Sequence, residues 1–218
     1  MPARCLVCSG NAKVVLGVCE ECRSRIRRIP EPACEICGAP VGTSGICIEC
    51  LHRPPPFDRM LSACLYEGLA RDIIHRFKYR RATSFKRFLA GLLAESLAGS
   101  EPAPDLILPV PLHWMRLVER GYNQSALIAR ELTGYLGGDV RYGVLRKTRK
   151  TPRQVGLPRA DRQRNLKGAF TAAGVEGKSV VVVDDVITTG QTAREISRVL
   201  KGAGARRVVF ASVGRTIS

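Results

Sequence analysis

The sequence predicts an α/β fold, a mostly parallel sheet with flanking helices, preceded by a small N-terminal module built on cysteines. Three features predict it. Eight of the nine cysteines lie within the first 50 residues and fall into four Cys-x-x-Cys pairs. Downstream, short apolar runs alternate with stretches of helical period. One of those runs, Ser179-Val180-Val181-Val182-Val183, is apolar on both faces, as a central parallel strand is.

The pairs are Cys5/Cys8, Cys19/Cys22, Cys34/Cys37 and Cys47/Cys50. A two-residue gap lets both sulfurs of a pair point at one ion, and two such knuckles complete a tetrahedral four-sulfur site of the kind zinc takes. The knuckles of each half are separated by residues 9–18 and 38–46, and residues 23–33 read as a connector. This spacing predicts two sequential sites, a double zinc ribbon over residues 1–53, and leaves open a cross-braced pairing of first knuckle with third and second with fourth. An iron–sulfur cluster would accept the same thiolates, but the repeated paired spacing favours zinc. Disulfides are disfavoured, because the start Met1-Pro2-Ala3-Arg4-Cys5 has no apolar signal-peptide core. Four thiolates leave no position for water, so both ions are expected to be structural. A segment of about 50 residues cannot bury enough apolar surface to fold unaided, and zinc worth on the order of 10–16 kcal/mol per site dominates its stability. His52 follows a completed quartet and reads as an exposed histidine, and Cys64, between Ala63 and Leu65, as core.

Residues 54–57, Pro54-Pro55-Pro56-Phe57, read as a semi-rigid linker that ends any preceding element. The rest, 58–218, has the size of one domain. Met60 to Tyr66 reads as a strand. Leu69, Ile73, Ile74 and Phe77 recur at helical spacing, as do Phe85, Phe88, Leu89, Leu92 and Leu93. Leu106 to Val110, bounded by prolines, is a short buried strand. Leu127, Ile128, Leu132 and Leu136 mark a helix closed by Gly137-Gly138. After the valine strand, Ala193, Ile196, Val199 and Leu200 share one helical face, and Arg207 to Val213 is a last strand. Ala172 to Ser179 resembles a relaxed phosphate-binding loop, but Ser179 opens a strand where that loop must open a helix, so it is rejected. Gly202-Ala203-Gly204 follows a helix and reads as its stop. No Ser/His/Asp arrangement stands out.

The most informative motif leaves the valine strand: Asp184-Asp185-Val186-Ile187-Thr188-Thr189-Gly190-Gln191-Thr192, with a helix beginning there. Two adjacent carboxylates at a strand's carboxyl end can accept hydrogen bonds from a vicinal diol and attract a cation. Residues 188–192 offer hydroxyls and backbone N–H groups at a helix N-terminus, which favour a phosphate. Gly190 lets the backbone approach closely. A diol on one side and a phosphate on the other describe a ribose 5-phosphate. An acidic turn capping a helix would explain only part of nine consecutive matching positions.

Val182 to Gly190 resembles the phosphoribosyl diphosphate (PRPP) signature of type I phosphoribosyltransferases. Pro109-Val110-Pro111, the run Arg120-Gly121-Tyr122-Asn123-Gln124, and Arg146 to Phe170 with Gln154, Leu157, Arg162, Asn165 and Gly168 resemble the ComF family. The four knuckles and the Pro-Pro-Pro-Phe-Asp junction are similar to it too. The resemblance covers essentially the whole chain. It implies a type I phosphoribosyltransferase-like fold in which Asp184 and Asp185, also the catalytic pair, bind the ribose hydroxyls. Thr188, Thr189, Gly190, Gln191 and Thr192 would hold the 5-phosphate, with Val186 and Ile187 between. Pro111 and Leu112 would stand at the pyrophosphate loop, with magnesium bridging pyrophosphate and ribose. A reaction would displace pyrophosphate from the anomeric carbon through a cationic sugar, which nearby carboxylates stabilise without a general base. The resemblance also implies a role in DNA uptake during natural transformation, with single-stranded DNA and a competence helicase as partners.

Composition points the same way. The 218 residues carry 35 Lys and Arg against 19 Asp and Glu, a formal charge of +16, which predicts a polyanionic partner. Normal hydrophobic content, 45%, excludes wholesale disorder, and no apolar run approaches the length needed to cross a bilayer, so a cytoplasmic location is expected. Residues 141–167 hold ten bases and one acid, and Arg71 to Arg87 hold seven bases against Asp72. Such clusters exceed what one pyrophosphate needs and suit a phosphodiester backbone, with Arg80, Arg81, Arg146, Lys147, Arg149, Lys150 and Arg153 as candidate contacts. Tyr79 and Trp114 are the candidates for stacking on bases, Phe77 and Phe85 reading as core. Residues 146–158 also suit a lid over PRPP. A reading from another class is a metabolic phosphoribosyltransferase acting on a free base or amine, with the ribbons as scaffold; a third is a module that uses PRPP as a sensor ligand.

Overall fold

A computed structural model describes residues 4–99, 102–149 and 166–217. Its centre is a five-stranded sheet in which every neighbouring pair is parallel. The strands of this sheet are β3 (Arg59–Leu65), β4 (Leu106–Pro109), β5 (Asp139–Val140), β8 (Ser179–Ile187) and β9 (Arg207–Arg215), in the order β3-β9-β8-β4-β5. Helices α3 (Gly68–Tyr79), α4 (Lys86–Leu97) and α6 (Gln124–Leu136) cover one face. Helix α7 (Gln191–Gly202) and a two-stranded antiparallel pair, β6 (Leu145–Lys147) with β7 (Phe170–Ala172), cover the other.

The period-two alternation of β8 explains its composition. Val181 and Val183 pack with Ile73, Phe77, Phe88 and Leu92, whereas Val180 and Val182 pack with Ile196, Leu200 and Phe210. Each of these side chains is essentially inaccessible, and each stabilises the fold by about 1.5–3 kcal/mol. Cys64 and His52 are where their context put them, the first buried and the second exposed. Among the described residues no helix is long and apolar enough to cross a membrane.

Two features differ from expectation. Strand β8 does not end at Val183 but continues to Ile187, because Asp184, Val186 and Ile187 still pair with Ser212, Gly214 and Arg215 of β9. Helix α5 (Trp114–Arg120) was not foreseen. It buries none of its residues and so lacks the core-facing stripe by which helices are recognised.

The cysteine module, with strands β1 (Val14–Val15) and β2 (Val18–Cys19) and helices α1 (Glu20–Ser24) and α2 (Ile48–His52), is docked on the sheet domain. Val18, Cys22 and Ile26 share a cluster with Phe88, Leu89 and Leu92. Leu16 lies so close to α4 that a Cβ on Gly91 would stand 2.4 Å from its Cδ1. Arg23 and Arg28 both pair with Glu95 of α4. The second half packs on the opposite cluster, where Cys34, Cys37 and Cys50 meet Phe57 and Met60. Between them the chain runs along the outer edge of β3: Leu65 N–H donates to Arg27 O (2.9 Å) and Met60 N–H to Ile36 O (2.7 Å). That pairing blocks an edge otherwise open to another strand. Gly38 is required where the halves meet, since its φ is +63° and a Cβ there would lie 2.7 Å from Met60 O.

Candidate functional site

The cysteines close into two quartets, Cys5/Cys8/Cys19/Cys22 and Cys34/Cys37/Cys47/Cys50, with all four sulfurs of each within 4.8 Å of one another. The pairing is sequential, which removes the cross-braced alternative. A tetrahedral Zn–S distance of about 2.3 Å places neighbouring sulfurs about 3.8 Å apart, and Cys8–Cys19 and Cys37–Cys47 are each separated by 3.7 Å. Burial pushes the Cys5 thiol up, but N–H groups of Cys19, Cys8 and Val7 outweigh it and bring it down to about 6. In the same quartet burial and the neighbouring sulfurs push Cys22 up to about 12. Four thiols this close all ionise only around a cation, and two sites of this chemistry fit structural zinc.

The second site stands at the switch point of the sheet. The chain leaving β8 turns through α7 toward β9, whereas the chain leaving β4 turns through α5 and α6 toward β5. Ligands of open parallel sheets bind in the crevice between such strands. Val110 N–H donates to Val183 O (2.9 Å), so Pro111 and Leu112 leave the sheet beside Asp184 and Asp185. Next come Thr188, Thr189 and Gly190, the last with φ +70°, and then α7, whose N-terminus has no side-chain cap. The first N–H groups of α7 are therefore offered to a ligand. Val186 and Ile187 remain in the strand and carry this loop, with Ile187 buried. Thr188 to Gly190 also line a cleft of about 850 Å³ whose opposite wall is the second zinc ribbon, from Ala39 to Glu49.

Strand alternation gives the two carboxylates different surroundings. Asp185 forms an ion pair with Lys78 of α3 at 2.8 Å. Asp184 accepts from the Ser125 hydroxyl (3.2 Å) and from the Asp185 N–H (2.9 Å). Burial, with the Asp185 charge second, raises the Asp184 carboxyl to about 7 against the opposing pull of Lys78. Lys147, on β6, is brought down to about 8 by burial and by Arg116, with Asp184 opposing. Lys147 therefore feels Asp184, as well as standing 5.4 Å over the Phe170 ring. Lys78, counted in sequence as one of a basic run, faces the site and not solvent. Its role was invisible locally because it depends on two elements meeting.

The run Arg120 to Gln124 acts as a clamp. Tyr122 Oη donates to Phe77 O, Gln124 Nε2 to Lys78 O (3.4 Å), and Asn123 Nδ2 to Val110 O (3.0 Å), tying the end of α3 to the end of β4. Arg120 stacks over Tyr79 at 5.1 Å. Tyr79 and Trp114 are exposed, Phe77 and Phe85 buried. Arg80, Arg81, Arg146 and Arg149 lie at the surface; Lys150 and Arg153 fall outside the described residues.

The raised Asp184 carboxyl has a consequence for any ligand that donates hydrogen bonds to it. The carboxylate form predominates only above about pH 7, so affinity for such a ligand is expected to be present above that pH and lost as pH falls through it. Between pH 8 and pH 6 the fall is about tenfold. The phosphates of a phosphorylated ligand also titrate near pH 6, and titrations of Asp184→Asn isolate the residue's share, which is expected to vanish in the variant.

Comparison with known proteins agrees with this architecture. The family model of the double zinc ribbon domain matches residues 1–51, and that of the phosphoribosyl transferase domain residues 119–215. Competence protein F of Haemophilus influenzae is 33% identical over 216 residues, covering 94% of this chain and 93% of that one. DNA utilization protein YhgH of Escherichia coli K12 is 35% identical over 209 residues, covering 92% and 91%. Competence protein ComFC of Bacillus subtilis is 26% identical over 201 residues, covering 86% and 79%. With two docked cysteine quartets, an all-parallel phosphoribosyltransferase-like sheet and this degree of identity over nearly its whole length, the chain belongs to the ComF family.

Proposed function

We propose that this chain binds PRPP with magnesium at the switch point and single-stranded DNA on the adjoining basic surface, acting in the cytoplasm in the handling of incoming DNA. The observation that carries the reading is the acid pair near the carboxyl end of β8, with a glycine loop and an uncapped helix N-terminus beyond it. Asp184 and Asp185 take the ribose hydroxyls, residues 188–192 the 5-phosphate, and the turn at Pro111 and Leu112 the pyrophosphate. Magnesium, when bound, supplies charge neutralisation between pyrophosphate and ribose. The names and extent of the relatives, a competence protein and a DNA utilization protein, support a role in DNA uptake; a competence helicase is proposed as a further partner. The double ribbon takes residues 1–53, the linker 54–57 and the ligand-binding domain 58–218.

DNA binding rests on charge and exposed rings: Tyr79, with Arg120 over its ring, and Trp114, together with the exposed Arg80 and Arg81. Fluorescence anisotropy with a labelled single strand, repeated over a salt series, tests it. Each phosphate neutralised contributes about −0.7 to the slope of log affinity against log salt, so Arg80→Ala/Arg81→Ala is expected to flatten that slope by about 1.4. An unchanged slope removes these two arginines from the interface. A chain that binds no DNA near physiological salt but releases pyrophosphate with a free base or amine is a metabolic phosphoribosyltransferase instead.

A further inference from the structure

The acid pair does not stand alone. Lys78 reaches Asp185 from α3 with only 15% of its side chain exposed, against 13% for Asp185, at the mouth of the crevice rather than on the helix surface. Its backbone is not free to move. The carbonyls of Phe77 and Lys78, in the last turn of α3, accept from Tyr122 and Gln124, and Asn123 between them holds Val110 at the end of β4. Helix-end carbonyls left without intrahelical partners are satisfied here by the segment that also sets the neighbouring loop. The Tyr66 ring lies 5.9 Å from the ammonium on a further side. An ordinary surface ion pair needs no such framing and contributes little. Two carboxylates alone would repel an anionic sugar diphosphate, and a mobile divalent cation would have to offset that repulsion entirely.

We infer that Lys78 is a ligand-binding residue of this site, a built-in cation that holds Asp185 in place and takes over part of the charge role of the divalent metal toward the diphosphate of the ligand. The inference rests on the PRPP reading above. It gives the Arg120–Gln124 run a purpose, which is to deliver the Lys78 ammonium to the acid pair. It also predicts that binding of PRPP depends weakly on magnesium.

The test is a calorimetric titration of PRPP into the full-length, zinc-loaded protein over a magnesium series that includes a magnesium-free arm, with chelators omitted because they strip zinc. The wild type is expected to lose less than about tenfold in affinity without magnesium. Lys78→Met removes the charge while keeping chain length. It is expected to lose about tenfold with magnesium present and at least about a hundredfold without it, a steeper dependence on metal that a purely structural role would not produce. Lys78→Arg keeps the charge and is expected to retain the shallow dependence, and Lys78→Gln is the second charge-free variant, expected to show the steep dependence if Lys78→Met folds poorly. Parallel magnesium dependences for the wild type and Lys78→Met, with melting midpoint and zinc content preserved, overturn the inference. So does a Lys78→Arg protein as dependent on metal as Lys78→Met, and so does a wild type that binds only with magnesium. A wild type that binds no PRPP at any magnesium concentration fails in a different way: it removes the PRPP reading itself and this inference with it.

Discussion

Stripping zinc from the first quartet destabilises the whole chain and not only its first residues. Cys22 shares a cluster with Val18, Ile26, Phe88, Leu89 and Leu92, so the ribbon is part of the cover of α4. A Cys22→Ser variant loses a ligand, the ribbon unfolds, and at least Leu16, Val18 and Ile26 leave their contacts with the helices. At about 1.5–3 kcal/mol per side chain the loss reaches about 5 kcal/mol or more. For a chain of this size each kcal/mol moves the melting midpoint by about 2–4 °C. The expected fall is at least about 10 °C by circular dichroism, with about one zinc fewer per chain by elemental analysis. A midpoint that does not move, or a wild type without zinc, contradicts the assignment of the quartets.

Replacing both site carboxylates is expected to abolish ligand binding while leaving the fold in place. Hydrogen bonds to charged groups contribute about 1.5–3 kcal/mol each, so Asp184→Ala/Asp185→Ala should weaken PRPP binding by at least about a hundredfold, at 1.4 kcal/mol per tenfold. Asp184 lies within the carboxyl-terminal half of the strand, held by Ser125 and its neighbour's N–H, and Asp185 by Lys78. Neither belongs to the apolar clusters. Asp184→Asn/Asp185→Asn, which keeps the shape of both side chains, is the companion variant. Near-normal affinity in a folded double variant places the ligand elsewhere.

The sheet was legible because each core strand is short, apolar and bounded by turn residues, and each packed helix shows one apolar face. Helix α5 was not, since Trp114, Met115, Leu117 and Val118 face solvent and provide no core-facing stripe. The β6–β7 pair joins Leu145–Lys147 to Phe170–Ala172 across a long intervening segment, which hides the usual hairpin signal. The cysteine spacing announced two metal sites but not their docking, which depends on Leu16, Val18 and Ile26 scattered between the pairs. The acid pair and the glycine loop could be read directly because they are contiguous. Lys78, Ser125 and Lys147 could not, because three separate elements bring them to β8.

The proposed PRPP site is the switch point near the carboxyl end of β8. Titrating PRPP with magnesium into the zinc-loaded wild-type protein by calorimetry, with and without single-stranded DNA, tests it most directly. A saturating heat with one ligand per chain is expected, absent in Asp184→Ala/Asp185→Ala, with an affinity that falls when DNA is present, since two polyanions held on adjoining basic surfaces repel each other and such coupling is reciprocal. No heat in the wild type, together with no competition between PRPP and DNA, would contradict it and leave the acid pair as part of the scaffold.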